Sequence, residues 1–359
     1  MTRRLLDRYL LREVLLAWGA VIIVLLAIMV ATRFASFLSM AAKGDLPRDL
    51  LMQVVALSSL RYLVILMPAS LLLGIMLSLG RLYSDNEIAA MMGCGVGIGD
   101  LYRPFVLVAA LLAAVTALLS FEIGPWAGRQ ADFLIKDAKR FVQYTPFEPA
   151  RFKFVANGRA VFYTSDVDAA AGKLGQVFAQ INAAAGPSFV TAPSGKQSVD
   201  PATGERLVTL ENGYRYQGTP GQAAFDVTRF STLTMRVSPP PFSYVNSQRK
   251  LESTSDLLLS NNLEDRAELQ WRIGAPLSVL VLALLAVPLS HLAPRQGRYS
   301  KIAFGLLAYL IYANLLGIGQ AWITKSQLAA TFGLWWVHAL MLVVTVLMIA
   351  RRRGRLGGR

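Results

Sequence analysis

The chain has one cysteine, Cys94, and two histidines, His291 and His338, in 359 residues. A lone thiol forms no internal disulfide, and one thiol with two imidazoles makes no convincing zinc site. Charge is scarce too: 16% of residues are charged, against 54% apolar residues and a mean hydropathy of +0.45. That balance excludes a disordered basic tail and argues against a soluble nucleic-acid binder, although the net charge is +14. No nucleic acid is expected as a partner. Phosphate-loop chemistry is also missing, because Gly172-Lys173 and Gly195-Lys196 lack the upstream glycine and are followed by the wrong residues. With no G-x-S-x-G elbow either, the chain is expected to be non-catalytic and to bind no cofactor or metal itself.

What is abundant is uncharged apolar length. Six windows of 18 to 25 residues contain no Asp, Glu, Lys or Arg: Val14 to Thr32, Tyr62 to Gly80, Pro104 to Phe121, Ile273 to Pro294, Ile302 to Thr324 and Ser326 to Ala350. Each is about the length a helix needs to cross hydrocarbon. Lys325 alone separates the last two, which predicts a tight helical hairpin turning there. Arg3 and Arg4 before the first window would also suit a signal peptide, but nineteen uncharged residues with no clean small-residue cleavage pattern read as an uncleaved span.

An even number of spans puts both termini on one side. Placing them in the cytoplasm gathers fourteen Lys and Arg against five acids there, as short-loop basicity demands. The segment from Trp126 to Asp265 is then exported. It holds fifteen bases and thirteen acids and no cysteine, so it must fold on its own core. Trp126 to Phe141 is polar and helix-compatible, and extends the third span. Beyond Arg151, alternating runs at Phe152-Phe154, Ala160-Tyr163, Val177-Ile181, Leu207-Leu210, Tyr214-Tyr216 and Ala224-Val237 are punctuated by Asn157-Gly158, Gly172, Gly186-Pro187, Pro201 to Gly204, Asn212-Gly213 and Gly218 to Gly221. This pattern predicts a β-sandwich or jelly roll, closed by Pro239-Pro240-Pro241. The fold class is a polytopic α-helical membrane protein with six transmembrane helices and an inserted periplasmic β-jellyroll. Its segments are 1–125 (three spans), 126–265 (β domain), 266–350 (three spans) and 351–359 (basic tail).

Two features carry functional information. Between the second and third spans, Ser84-Asp85-Asn86-Glu87 reads as a capping box, opening a short helix that Gly93 and Gly95 stop. Ile88, Met91 and Met92 would form an apolar face, with Asp85 and Glu87 at its start, suited to a partner's groove. At the other boundary, Arg33, Arg61, Arg129, Arg272 and Lys325 stand where basic residues are disfavoured. Singly each can snorkel; together they form a ring suited to anionic headgroups. His291 and His338 are expected near helix ends or in helix packing. A secondary transporter would place ionisable groups or broken helices at midplane; these windows hold no Asp, Glu, Lys or Arg, and Pro68 and Pro276 are modest kink candidates. A membrane-anchored scaffold, or another envelope lipid or lipoprotein transporter subunit, is the alternative.

The chain resembles the lipopolysaccharide-export permease family (LptF/LptG, YjgP/YjgQ type), most like its F-type subunit. The resemblance rests on Gly44-Asp45-Leu46-Pro47, Gly80-Arg81-Leu82-Tyr83 running into Glu87-Ile88 and Cys94-Gly95, Gly124-Pro125-Trp126, and Asn212 to Thr219. It continues through Asp265 to Ile273, Pro288-Leu289-Ser290 and Pro294-Arg295-Gln296-Gly297-Arg298. It implies a non-catalytic permease subunit in a Gram-negative inner membrane that extracts lipopolysaccharide from the outer leaflet. The implied partners are an LptG-like second permease, an LptB-like cytoplasmic ATPase dimer that uses ATP and Mg, a membrane-anchored LptC-like bridge protein and a soluble LptA-like jellyroll. It further implies that the Ser84 to Gly95 connection is the coupling helix, that spans one and five form lateral gates, and that Arg33 contacts substrate phosphate. A second position where the family carries a base is Ser36 here.

Overall fold

The structure is a computed structural model that describes residues 2–42, 46–143, 149–155, 160–168, 172–183, 186–199, 206–218, 226–237, 244, 248–291, 301–325 and 332–357. It divides into two compact units, one built from helices and a second containing Ile135–Tyr244. The β unit is thus narrower than the 126–265 segment, and Arg249–Leu251 with the short helix that follows belongs to the helical unit.

The helices are α1 (Thr2–Ala42), α2 (Leu51–Ser84), α3 (Glu87–Gly93), α4 (Ile98–Leu118), α5 (Gly124–Gln143), α6 (Thr254–Leu259), α7 (Leu263–Leu289), α8 (Ile302–Thr324) and α9 (Trp335–Gly357). Among the described residues, five stretches are long and apolar enough to cross a bilayer: those in α1, α2, the helix formed by α4 and α5, α7 and α8. α9 adds a shorter apolar stretch, Trp335–Arg351. The turn of the hairpin expected at Lys325 falls outside the described residues. Lys325 ends α8, the next described helix starts at Trp335, and residues 326–331 lie between them. The approach to α9 is fixed by a neighbour, since the Leu334 N–H donates to Gln270 Oε1 on α7 at 3.0 Å.

α7 is the centre of the bundle and packs against α2, α4, α8 and α9. Between spans, hydrocarbon tails are as apolar as leucine, so close packing and interhelical hydrogen bonds replace hydrophobic burial as the cement. Both occur. Gly74 lets α1 touch α2, because a Cβ there would sit 2.7 Å from Trp18 Cα, and beside it Trp18 Nε1 donates to Ser70 Oγ at 3.0 Å. Ser278, Tyr312 and His338 form a buried hydrogen-bonded chain across α7, α8 and α9; such links contribute roughly 0.6 kcal/mol each. His338 is therefore in helix packing, as expected, and His291 lies edge-on to Tyr83 just beyond the end of α7.

The second unit is one antiparallel sheet ordered β1 (Arg151–Val155), β2 (Ala160–Thr164), β5 (Val177–Ala183), β6 (Gly186–Ala192), β8 (Arg206–Gln217), β7 (Ser194–Val199), β4 (Lys173–Leu174), β3 (Val167–Asp168), with β9 (Asp226–Val237) on the far side of β8. Phe162, Ala179 and Val190 share one cross-sheet row and are buried with Leu174, Val208 and Leu210. Two differences from the sequence reading matter. β6 begins at Gly186-Pro187, which reads as a turn, and β7 carries too little apolar alternation to be seen. Asn212-Gly213 does not break the chain into two strands: β8 runs through it, with Asn212 at φ 53°. Here β8 leaves β7, paired over Arg206 to Glu211, and joins β6, paired over Tyr214 to Gln217. Gly213 leaves room for the Phe230 ring and the Thr191 carbonyl at that corner, which curls the sheet in a jellyroll-like way. The turn signals at 157–158, 201–204 and 219–221 and the proline run 239–241 lie outside the described residues.

Candidate functional site

α2 carries Arg61 about a third of the way along and Arg81 near its end, twenty residues apart, or about 30 Å of helix. That is close to the thickness of a hydrocarbon core. The charged side chains of the helical unit accordingly gather at two ends.

At the Arg81 end, the expected capping box is absent. α2 continues through Ser84, whose Oγ donates to the Arg81 carbonyl at 2.9 Å instead of accepting from Glu87. The residue before α3 is Asn86 in the left-handed region, φ 60°, with no side-chain cap. The helical run simply reached further than its polar punctuation suggested. α3 ends at Gly93, and Gly95 follows at φ 85°. Its apolar side chains face inward: Ile88 is fully buried in the bundle core, and Met91 and Met92 pack against that core. The i, i+3, i+4 stripe was legible in sequence, but its partner is this chain's own bundle, so these residues are not exposed anchors. The outward surface of α3 is Ala89, Ala90 and Gly93, with Ser84 and Asp85 beside it.

Glu87 has partners in the chain. Tyr9 Oη on α1 donates to its Oε2 at 2.6 Å, and Arg81 lies 3.7 Å from its Oε1. Arg81 also donates to Tyr9 Oη at 3.0 Å, pairs with Glu13 of α1 at 3.0 Å and approaches Asp85 at 3.8 Å. Tyr9 and Glu13 gave no sequence signal, since they sit on another helix.

At the Arg61 end, the five basic residues are not equivalent. Arg272 is 2% exposed and fully engaged: it pairs with Glu268 at 3.3 Å, donates to Thr254 Oγ1 at 2.8 Å and reaches the Glu252 carbonyl at 2.9 Å. Its donors are thus taken up by the chain itself, as in a structural clasp, although it lines the same cavity as Arg61. Pro125, which has no N–H, leaves the Phe121 carbonyl without its usual helical donor; Thr254 Oγ1 fills that role. This happens at a π-helical turn, Leu119–Ile123, a kind of irregularity frequent at functional sites. Arg129 is spent on the Leu251 carbonyl at 2.8 Å. Arg33 lies over the Tyr62 ring at 4.1 Å. Lys325 is exposed at the end of α8.

Arg61 differs from the others: half-buried, it makes no hydrogen bond or ion pair with a described residue. It lines a cavity of about 230 Å³ with Tyr62, Ser120, Lys250, Glu268 and Trp271. Adjoining it through Val64, Ile65 and Trp271 is a small apolar pocket of about 70 Å³ that reaches Pro68, Ala313 and Leu316. A cationic mouth next to an apolar recess suits an amphipathic anion.

The family model for the lipopolysaccharide export system permease LptF/LptG matches residues 8–351. The chain belongs to this family. Its relatives include the lipopolysaccharide export system permease protein LptF of Escherichia coli strain K12, Escherichia coli O157:H7 and Shigella flexneri. Each is 29% identical over 344 residues, spanning 95% of this chain and 93% of the relative. As in the sequence reading, an LptF/LptG-type permease combines membrane-length helices with a β unit inserted between them in the chain. The Pro294 to Arg298 motif lies outside the described residues.

Arg272 gives this end a testable stability role. Removing one partner of a buried pair strands the other charge and costs about 3–5 kcal/mol. Arg272→Ala is therefore expected to lower the thermal unfolding temperature in detergent sharply, and Arg272→Met with Glu268→Gln to recover most of the loss. An Arg272→Ala protein as stable as its parent would remove the clasp.

Proposed function

We propose that this chain is the F-type permease subunit of an ATP-driven lipopolysaccharide exporter in a Gram-negative inner membrane. It extracts lipopolysaccharide from the outer leaflet and passes it to a periplasmic bridge. The observation that carries this reading is the family match over residues 8–351, and the two charged ends of the bundle give it a mechanism. The termini and α3 lie in the cytoplasm, where the arginine-rich short loops favour them; the β unit is periplasmic.

The chain makes and breaks no bond. ATP and Mg act at an LptB-like ATPase dimer, whose groove receives α3. The residues that meet it are the exposed carboxylate of Asp85, the edge of Glu87 and the small face of Ala89, Ala90 and Gly93, which lets a partner's backbone come close. Ile88, Met91 and Met92 hold α3 on the bundle from below.

At the other end, acyl chains lie against apolar helices and phosphates meet Arg33 and Arg61, with Lys250 adding charge. Lys325, exposed at the end of α8, adds a further cation, and an LptG-like partner permease completes the cavity. A guanidinium that has no carboxylate to compete for it binds phosphate through two parallel hydrogen bonds. In the β unit, β9 presents an edge for strand addition by an LptC-like or LptA-like jellyroll.

Two substitutions test the two ends separately. Glu87→Arg is expected to abolish co-purification with the ATPase, or to leave hydrolysis running without export; unchanged binding and export would remove α3 from coupling. Arg33→Ala with Arg61→Ala is expected to weaken lipopolysaccharide photo-crosslinking about ten-fold or more, the loss of one or two charge-assisted hydrogen bonds. Undiminished crosslinking would leave both arginines as structural.

A further inference from the structure

α1 is held to the bundle unevenly. Only 6% of its most apolar stretch is buried, and Ile23, Val24 and Ile28 are all more than half exposed. Its fully buried residues, Leu10 and Val14, lie in its first third, followed by Trp18 against Gly74 and Ser70. Beyond Trp18 the only side-chain link described is Arg33 over Tyr62. Such a helix is a lever, fixed near one end and left uncovered by this chain along most of the rest.

The fixed end is where α3 touches it. One guanidinium, Arg81, is shared by Glu13 of α1, Glu87 of α3, Asp85 between α2 and α3, and the Tyr9 hydroxyl of α1. Three carboxylates face one cation, and the distances of 3.0, 3.7 and 3.8 Å show that Arg81 favours Glu13 over the other two. Arg81 Nε meanwhile is buried with no partner among the described residues. Glu87 is thus held chiefly by the Tyr9 hydroxyl, and the node as a whole is two charges short of cations. A further cation is attracted to it, and the acids free to turn toward it are Asp85 and Glu87, 48% and 30% exposed. Past the other end of α3, Cys94 to Val96 face Leu6 and Asp7 across a cavity of about 190 Å³, which leaves α3 room to shift against α1.

We propose that the Tyr9–Glu87 hydrogen bond, tuned by Arg81, is the switch that ties α1 to α3. A basic side chain of the docked ATPase competes for Glu87, the Tyr9 hydroxyl is released, and α1 is freed to swing about the Trp18–Gly74 contact. Tyr9, Glu13 and Arg81 act here as positioning residues, not as part of the docking face. The proposal rests on the reading that α3 receives the ATPase.

The test is Tyr9→Phe in the full complex with its ATPase and second permease, which removes one hydroxyl and keeps the ring. The readouts are ATPase co-purification and lipopolysaccharide released per ATP hydrolysed. Co-purification is expected to persist while the ratio falls about ten-fold, the bias that one hydrogen bond to a charged group exerts on an equilibrium. A parental ratio would overturn the switch, and the Glu87→Arg result would still decide separately whether α3 couples. Loss of the ATPase from Tyr9→Phe would also overturn it, by showing that Tyr9 merely shapes the docking face. A fall in hydrolysis and release together, with the ratio kept, would do the same.

Discussion

A helix in hydrocarbon has no water to satisfy a stray charge or an open backbone group, and this constraint arranges the rest of the molecule. It confines Arg81, Glu13, Asp85 and Glu87 to one end of the helical unit and Arg61, Lys250, Glu268 and Arg272 to the other. Between them the bundle must be held by fit and by a few neutral hydrogen bonds, such as the Ser278, Tyr312 and His338 chain. Polar work is concentrated in two thin layers. In each, the same scarcity of charge makes every unshared guanidinium or carboxylate conspicuous.

The two layers use their charges differently. Arg272 is consumed by its own chain, closing α7 onto the loop before it and onto the π-helical turn that Pro125 forces. That closure shapes a cavity that Glu268 lines as well, in which Arg61 pairs with no carboxylate among the described residues. At the opposite end no cation is spare; four groups compete for one guanidinium. The first arrangement suits holding an anion, and the second suits changing partners. Under the proposed function the first end faces the lipid and the second the ATPase.

The architecture was readable because its signals are long. Five of six charge-free windows correspond to helices of spanning length, and the change to alternating residues after Arg151 marks the β unit. What escaped the sequence are features that depend on who stands opposite. Ser84 and Glu87 have the spacing of a capping box, yet α2 runs on through Ser84. Ile88 looks like an anchor for a partner, yet the bundle itself fills its surroundings. Arg272 looks like Arg61 in one dimension, and only folding shows that Glu268, one turn away, and Thr254 have taken its donors. Tyr9 was invisible because its significance comes from Glu87, seventy-eight residues along the chain. In the β unit, Asn212-Gly213 marks a corner within a strand where the residues alone suggest a turn.

In the proposed coupling, α1 pivots near its contact with α2 when an ATPase engages α3. Spin labels placed at exposed positions, in a chain with Cys94→Ser, read this directly by pulsed electron resonance in the assembled complex. The distance between labels at Ile28 and Ile65 should shift between the nucleotide-free and vanadate-trapped states, while that between Ala20, next to the pivot, and Ile65 stays fixed. Equal shifts in both pairs, or none in either, would contradict a pivoting α1.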